Sequence, residues 1–370
     1  MNYYVIAGEA SGDLHASNLL KEIRQRDPNA RFRAWGGDLM QAQGAEIVKH
    51  YRNLAFMGFV EVAMNLHTIL GNMRFCKTDI KNYQPDVLIL VDYPGFNLPI
   101  AKFAHALGIK VIYYISPQVW AWKKGRVKTI RKVVDKMLVI LPFEKAFYKD
   151  YNIDVEFVGH PLLDAISSFQ ADEYFLQANN LDHRPIIALL PGSRKQEITA
   201  MLKGMLSVID HFTEYQFLIA GAPAAEKEMY ERIIGDKKVK IVQNQTYALL
   251  AHSTAALVTS GTATLETALF NVPEVVCYKA NQISYEIAKR IVDIKYISLV
   301  NLIMDKEVVK ELIQHDFNRQ RLVNELNAVL KDETGRTNVL NDYNLLKEKL
   351  GGVGASARAA QIVVEFAAEK

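Results

Sequence analysis

YYVIAGEASGD, residues 3–13, decides the fold: five apolar residues run directly into a glycine-containing turn, and a helical pattern follows over about 13–26. An unbroken apolar run beside an amphipathic stretch marks a strand buried on both faces, the signature of a parallel sheet clothed by helices. The pattern recurs. VLILV (87–91) precedes a helical stretch over about 98–107, and KVIYYI (110–115), KMLVIL (136–141) and VEFV (155–158) continue it. After GHPLLD (159–164) and a more polar stretch, PIIALLPGSR (185–194) begins a second series through QFLIAG (216–221), KVKIV (238–242), AALVTSG (255–261) and PEVVCY (273–278). The chain therefore reads as α/β, with two Rossmann-like doubly wound domains facing each other across a cleft. The expected limits are 1–165 and 166–350, with 351–370 a helix at the domain junction. Residues from about 305 onward read as entirely helical.

Composition narrows the function. At 370 residues the chain exceeds what one core usually serves, and with half its residues apolar and 23% charged it is not disordered. Lys plus Arg number 44 against 41 Asp plus Glu, too small an excess for a broad nucleic-acid footprint. Cys76 and Cys277 form no C-x-x-C pair, which disfavours a disulfide scaffold, a zinc cluster and a redox motif. No window approaches about 18 consecutive apolar residues, and the N-terminus lacks a signal peptide's basic start and apolar core, so a cytoplasmic protein is expected.

Ligands bind such sheets beyond the carboxyl ends of the strands, so the loops there should carry the chemistry. In GEASGD (8–13), Gly8 and Gly12 allow tight turns or a close ligand, and Glu9, Ser11 and Asp13 are candidates to face the cleft. The turn lacks G-x-G-x-x-G, so it is not a nicotinamide fingerprint, and a plain strand-to-helix connection is the alternative. In VDYPGFN (91–97), Asp92 ends a strand, where partial desolvation suits a general base as well as a helix cap. Asn97 reads equally as a sugar-hydroxyl partner and as a cap. In LLPGSRKQE (189–197), Gly192 and Ser193 present backbone N–H groups to phosphate oxygens, and Arg194 adds a planar fork suited to a diphosphate; a capped helix with a solvated arginine is the alternative. TSGTATLE (259–266) repeats the device with Ser260, Gly261 and Thr262, and Glu266 would accept hydrogen bonds from ribose hydroxyls. G-x-x-x-x-G-K-[ST] is absent, and no Asp-x-Asp marks a strand end in the second half, so helix termini and Arg194 are expected to do a metal's work, with no metal and no cofactor.

Two stretches suggest a surface partner. FMGFVEVAMNLHTIL (56–70) opens with Phe56, Met57 and Phe59 and reads either as core or as a shallowly inserting amphipathic segment. KKGRVKTIRKVVDK (123–136) carries seven basic residues and one acid directly after SPQVWAW (116–122). Trp120, Trp122, Lys123, Lys124 and Arg126 are thus candidates to meet anionic head groups, against the ordinary reading of a solvated helix face.

Taken together, AGEASGD (7–13), MGFVEV (57–62), DYPGFN (92–97), SPQVWAW (116–122), LPFEKAFY (141–148), GHP (159–161), LPGSR (190–194), SGTATLE (260–266) and AKRIVDIKYISLVNL (288–302) resemble the lipid-A-disaccharide synthases, in the family's order and nearly end to end. The resemblance implies a GT-B fold with the nucleotide sugar on the C-terminal domain. It implies transfer of 2,3-diacylglucosamine from UDP-2,3-diacylglucosamine to 2,3-diacylglucosamine 1-phosphate, giving a β-1,6-linked disaccharide and UDP. On matching positions it makes Asp92 the base, sets Arg194 with residues 192–193 on the diphosphate, Ser260, Gly261 and Thr262 near phosphate, Glu266 on the ribose and Asn301 on the nucleotide sugar. It further implies a peripheral protein on the cytoplasmic side of a Gram-negative inner membrane and, by analogy, a homodimer. One position departs: many members carry an acid where this chain has Gly95. If that acid helps orient the acceptor, this chain would either take a somewhat different acceptor or use another nearby group, such as Glu9 or Asp13. A UDP-sugar 2-epimerase of similar fold and a non-catalytic lipid or nucleotide carrier are the competing readings.

Overall fold

A computed structural model of the chain describes residues 1–53, 66–121, 124–222, 225–281, 285–286 and 294–369. It divides into two units, Met1–Asp164 with Leu350–Lys370, and Ala165–Lys349.

In the first unit, β1 (Asn2–Ala7), β2 (Arg31–Gly36), β3 (Glu46–His50), β4 (Val87–Val91), β5 (Lys110–Tyr114), β6 (Lys136–Val139) and β7 (Glu156–Phe157) form one sheet in the order β3-β2-β1-β4-β5-β6-β7. Every pairing is parallel. All five residues of VLILV are buried, because helices cover both faces of the sheet. Leu88, Leu90, Val111 and Tyr113 join one core cluster with Phe96, Ile100 and Val127, while the alternate residues Val87, Ile89 and Val91 point to the other side and are also buried. The helix Ala355–Ala368 belongs to this unit and packs on the helix Ala10–Arg26. Asp164 fixes its start, accepting from the backbone N–H groups of Gly354 at 2.5 Å and Ser356 at 2.8 Å.

The second unit holds β8 (Ile186–Leu190), β9 (Gln216–Gly221), β10 (Lys240–Gln243), β11 (Ser253–Thr259), β12 (Glu274–Tyr278) and β13 (Lys310–Ile313), again parallel, in the order β10-β9-β8-β11-β12-β13. Alternation along β8 separates its two cores: Ile187 and Leu189 pack with Met201 and Phe217, whereas Ile186, Ala188 and Leu190 pack with Leu249 and Val258.

The α/β doubly wound expectation holds for both sheets. The region beyond residue 305 is not wholly helical, however, because Lys310–Ile313 pairs with β12. KELI is short and half polar, as befits an edge strand with only one neighbour, and it offers none of the continuous apolar character that marks a central strand. In each sheet the strand order reverses beside the first strand, between β1 and β4 and between β8 and β11. Those are the points where the loops beyond the carboxyl ends diverge and leave room for a ligand.

Candidate functional site

The first switch point is built from the turns after β1 and β4. Gly8 is required sterically: a Cβ there would collide with the ring of Tyr93, which is itself stacked on Phe96 at 5.8 Å. Glu9 precedes the helix Ala10–Arg26 in extended conformation and stays half exposed, and Ser11 is exposed on its first turn. Asp13 does not face outward. It is buried and accepts backbone N–H bonds from Gly37 (2.7 Å), Leu39 (3.1 Å) and Met40 (3.2 Å), so its carboxylate caps the helix Asp38–Ala42 and holds the turn after β2.

Asp92 follows β4 directly, and both it and Tyr93 adopt left-handed backbone, with φ of 43° and 48°. Ile115, just past β5, has φ of 64°, an outlier for a β-branched residue. Such strain persists only where the surroundings over-determine it. Here the Asp92 N–H is shared between the carbonyls of Tyr114 and Ile115, both at 3.3 Å, and the Asp92 carbonyl accepts from Tyr113 Oη at 2.6 Å and Asn97 Nδ2 at 2.7 Å. Asn97, fully buried, also reaches the Val91 carbonyl at 3.3 Å. It is therefore a loop-holding residue and not a surface for a sugar hydroxyl. Burial first, then the charge of Glu9, push the Asp92 carboxyl up to about 7, against a lowering backbone N–H of Tyr93. A carboxylate poised there can take up and release a proton near neutrality. At Gly95 a Cβ would meet nothing within 4 Å, so packing does not impose the glycine there.

The second switch point uses the turns after β8 and β11. Gly192, at φ of 102°, opens the helix Lys195–Met205 together with Ser193 and Arg194. Glu197 closes this turn: its Oε2 accepts from the N–H groups of Ser193 (3.2 Å) and Arg194 (3.3 Å), and its Oε1 pairs with Arg194 Nη1 at 2.9 Å. A Cβ at residue 192 would fall 2.7 Å from that carboxylate. Glu197 thus takes the hydrogen bonds an anion would take, and the spacing of three residues after the cap was its visible signal. Gly261 begins the helix Thr262–Leu269 with no side-chain cap, and Gly261 and Thr262 are exposed. Ser260 Oγ donates to the Ile297 carbonyl at 2.8 Å. Glu266 lies one turn in, with its carboxyl raised by burial and accepting from Tyr247 Oη at 3.1 Å.

Asn301 lies away from this constellation in role. It is fully buried; its Oδ1 accepts from the N–H groups of Val308 (2.8 Å) and Val309 (3.0 Å), and its Nδ2 donates to Glu311 Oε1 (2.9 Å) and the Val309 carbonyl (2.8 Å). All its polar capacity anchors the entry to β13, which leaves none for a nucleotide sugar.

Trp120, expected at a membrane, is 9% exposed and sits edge-on to Phe143 at 4.9 Å, which makes it core. Arg126 is half exposed at the end of the turn Lys124–Arg126. Phe56, Met57, Phe59, Trp122 and Lys123, and the side chain of Lys124, lie outside the described residues. Among the described residues no helix is long and apolar enough to cross a membrane, and no group of His, Cys, Asp and Glu could hold a metal ion.

Comparison with known proteins adds a lineage to this geometry. The family model described as lipid-A-disaccharide synthetase matches residues 3–366. The lipid-A-disaccharide synthase of Syntrophus aciditrophicus is 41% identical, covering 96% of this chain and 95% of its own, and that of Geobacter metallireducens is 38% identical, covering 99% and 97%. Among solved structures, a putative UDP-N-acetylglucosamine 2-epimerase from Listeria monocytogenes superposes with a TM-score of 0.68 at 12% identity, covering 100% of this chain and 97% of that one. The glycotransferase of kitacinnamycin gives 0.65 at 14%, covering 98% of each chain. At such identities the two structures share a fold with this chain and nothing more specific.

Proposed function

The chain belongs to the lipid-A-disaccharide synthetase family, and on that footing we propose that its two switch points divide one glycosyl transfer between them. It is a glycosyltransferase of lipid A synthesis, which takes a UDP-sugar donor and a lipid acceptor. In the finer reading the donor is UDP-2,3-diacylglucosamine and the acceptor 2,3-diacylglucosamine 1-phosphate. Asp92 removes the proton from the acceptor's 6-hydroxyl as that oxygen attacks the anomeric carbon. The bond from this carbon to the diphosphate breaks on the opposite face, so configuration inverts and UDP departs.

The observation that carries this reading is Asp92 at the carboxyl end of β4, its carboxyl pushed up to about 7. General-base assistance is worth roughly 10²–10⁴-fold. On the donor side, the uncapped start at Gly261 and Thr262 offers backbone N–H groups to phosphate, and Arg194 neutralises the leaving diphosphate. The N–H groups of Ser193 and Arg194 join in once the ligand takes the place of the Glu197 carboxylate. Glu266 meets the ribose with the carboxylate oxygen that Tyr247 does not hold. The test is Asp92→Asn, with disaccharide formation and UDP binding measured side by side. Turnover should fall by at least about a hundredfold with UDP affinity retained, and unchanged turnover would remove Asp92 from the base role.

The same reading includes docking of the enzyme on an anionic membrane surface. Its support is a groove on the helix Leu66–Tyr83, lined by Leu70, Met73, Arg74, Lys77 and Lys81 together with Phe103, in which three cations and no acid face the solvent. Leu66 and Leu70, on the same side one helical turn apart, are more than half exposed. Vesicles containing phosphatidylglycerol should retain the protein and pure phosphatidylcholine vesicles should not. Equal recovery with both would refute the charge-based docking.

A further inference from the structure

We propose that Tyr113 is a positioning residue for the reaction, setting the direction and environment of the Asp92 carboxylate through its hydroxyl bond to the Asp92 backbone carbonyl. This rests on the reading of Asp92 as the base.

Asp92 and Tyr93 are consecutive left-handed residues with side chains, a conformation glycine would adopt without cost and an aspartate–tyrosine pair does not. The peptide between them is the hinge of the loop: where its carbonyl points settles the backbone angles on either side, and through them the direction of the Asp92 Cβ. Among the described residues two side chains bond to that carbonyl, Tyr113 at 2.6 Å and Asn97 at 2.7 Å. Tyr113 is the more rigid of the two. It stands on β5, paired in register with Leu90 of β4, with its ring fully buried in the core shared by Phe96 and Leu98. Two strands therefore aim one hydroxyl at one carbonyl. Burial also holds the phenol well above its usual titration range, so it remains a donor at any working pH. On the other side of the loop, Asp92 N–H grips the β5 end where Ile115 itself is left-handed. The strained turn is thus clamped from both faces by the end of β5, and the Asp92 carboxyl is kept in the half-buried position that favours its neutral form.

Tyr113→Phe keeps the ring and removes the donor. Released, the loop should relax toward ordinary backbone angles and the carboxylate toward water, lowering its ionisation point. The direct readout is carbon-13 titration of the aspartate carboxyls in labelled full-length protein, with Asp92→Asn assigning the resonance. Tyr113→Phe is expected to move the Asp92 midpoint down by at least half a unit, to lower kcat three- to tenfold with the KM for the UDP-sugar within twofold, and to shift the acidic limb of the kcat profile by the same amount. Asn97→Ala, which removes the second donor, should move the midpoint in the same direction. A merely structural lesion would lower activity at every pH and leave the limb in place. An unmoved Asp92 midpoint in a folded Tyr113→Phe protein overturns the proposal. If instead Asp92→Asn proves fully active while Tyr113→Phe still moves the midpoint, the base assignment fails and the positioning survives as geometry without a catalytic consequence.

Discussion

Replacing Asp92 by asparagine should make the first unit more resistant to unfolding, and increasingly so as the solution becomes alkaline. The carboxyl titrates near 7 in the fold and near 3.8 in an unfolded chain, so the protein holds the neutral form while the open chain prefers the anion. A raised carboxyl contributes stability that is fully present below 3.8 and drains away as pH climbs through 7. The difference is about three units, and at ~1.4 kcal/mol per unit its ceiling is ~4 kcal/mol. Part of that is already lost at pH 5, and Asp92 keeps some contact with solvent, so roughly 1–2 kcal/mol remains to appear between pH 5 and pH 8.5. For a unit of this size 1 kcal/mol moves the melting temperature by about 2–4 °C. The gap between Asp92→Asn and the parent protein should therefore widen by roughly 2–8 °C across that interval. The three tryptophans, Trp35, Trp120 and Trp122, all fall within the first 164 residues, so their fluorescence reports the melting of this unit alone. A gap that stays constant from pH 5 to 8.5 would mean that Asp92 ionises normally and is not a base poised near neutrality.

Other perturbations test the remaining parts of the site. Arg194→Ala should weaken UDP binding by roughly 10–100-fold, the usual scale for a lost charge-assisted contact, and calorimetry that finds unaltered affinity removes it from the diphosphate. Gly8→Ala drives a methyl group into the Tyr93 ring, so turnover should fall sharply while UDP binding, which the proposed reading assigns to the other unit, stays within twofold; full activity would show that the ring can move freely. Glu274 is 2% exposed with neither carboxylate oxygen hydrogen-bonded, and burial followed by the Glu311 charge raises it well above the carboxylate range. Glu274→Gln should accordingly leave stability unchanged in acid and raise it by about 1–3 kcal/mol in alkali, a gain whose absence at pH 9 would indicate an unseen partner.

The fold was legible wherever a strand is covered on both sides. VLILV and QFLIAG read as central strands from their unbroken apolar, β-branched character, and each appears within a residue of where its apolar run lies. RFRAWG and EIVKH, which became β2 and β3, alternate with charge because they lie toward the sheet edge, and they pass for loop or helix when read alone. The loops were legible as locations but less so as roles. Asp13 and Asn301 are polar residues in loop runs, and nothing in their spacing distinguishes a group that meets a ligand from one spent on backbone N–H groups. Both proved to be spent on backbone. Glu197 was visible but unassigned, and Tyr113, one of two adjacent tyrosines in KVIYYI, gave no signal of which would reach the neighbouring loop. That choice belongs to strand register, which is settled only when the sheet forms.

The return of the helix Ala355–Ala368 to the first unit sets an order on biosynthesis. Every residue of the second unit leaves the ribosome before this helix does, so a nascent chain can complete its later unit while its earlier one still lacks a piece. Until then the Asp164 carboxylate has no helix start to cap, and the apolar flank of Ala10–Arg26 has no cover. A chaperone that shields exposed apolar helices would find its longest-lived target on the part of the protein made first.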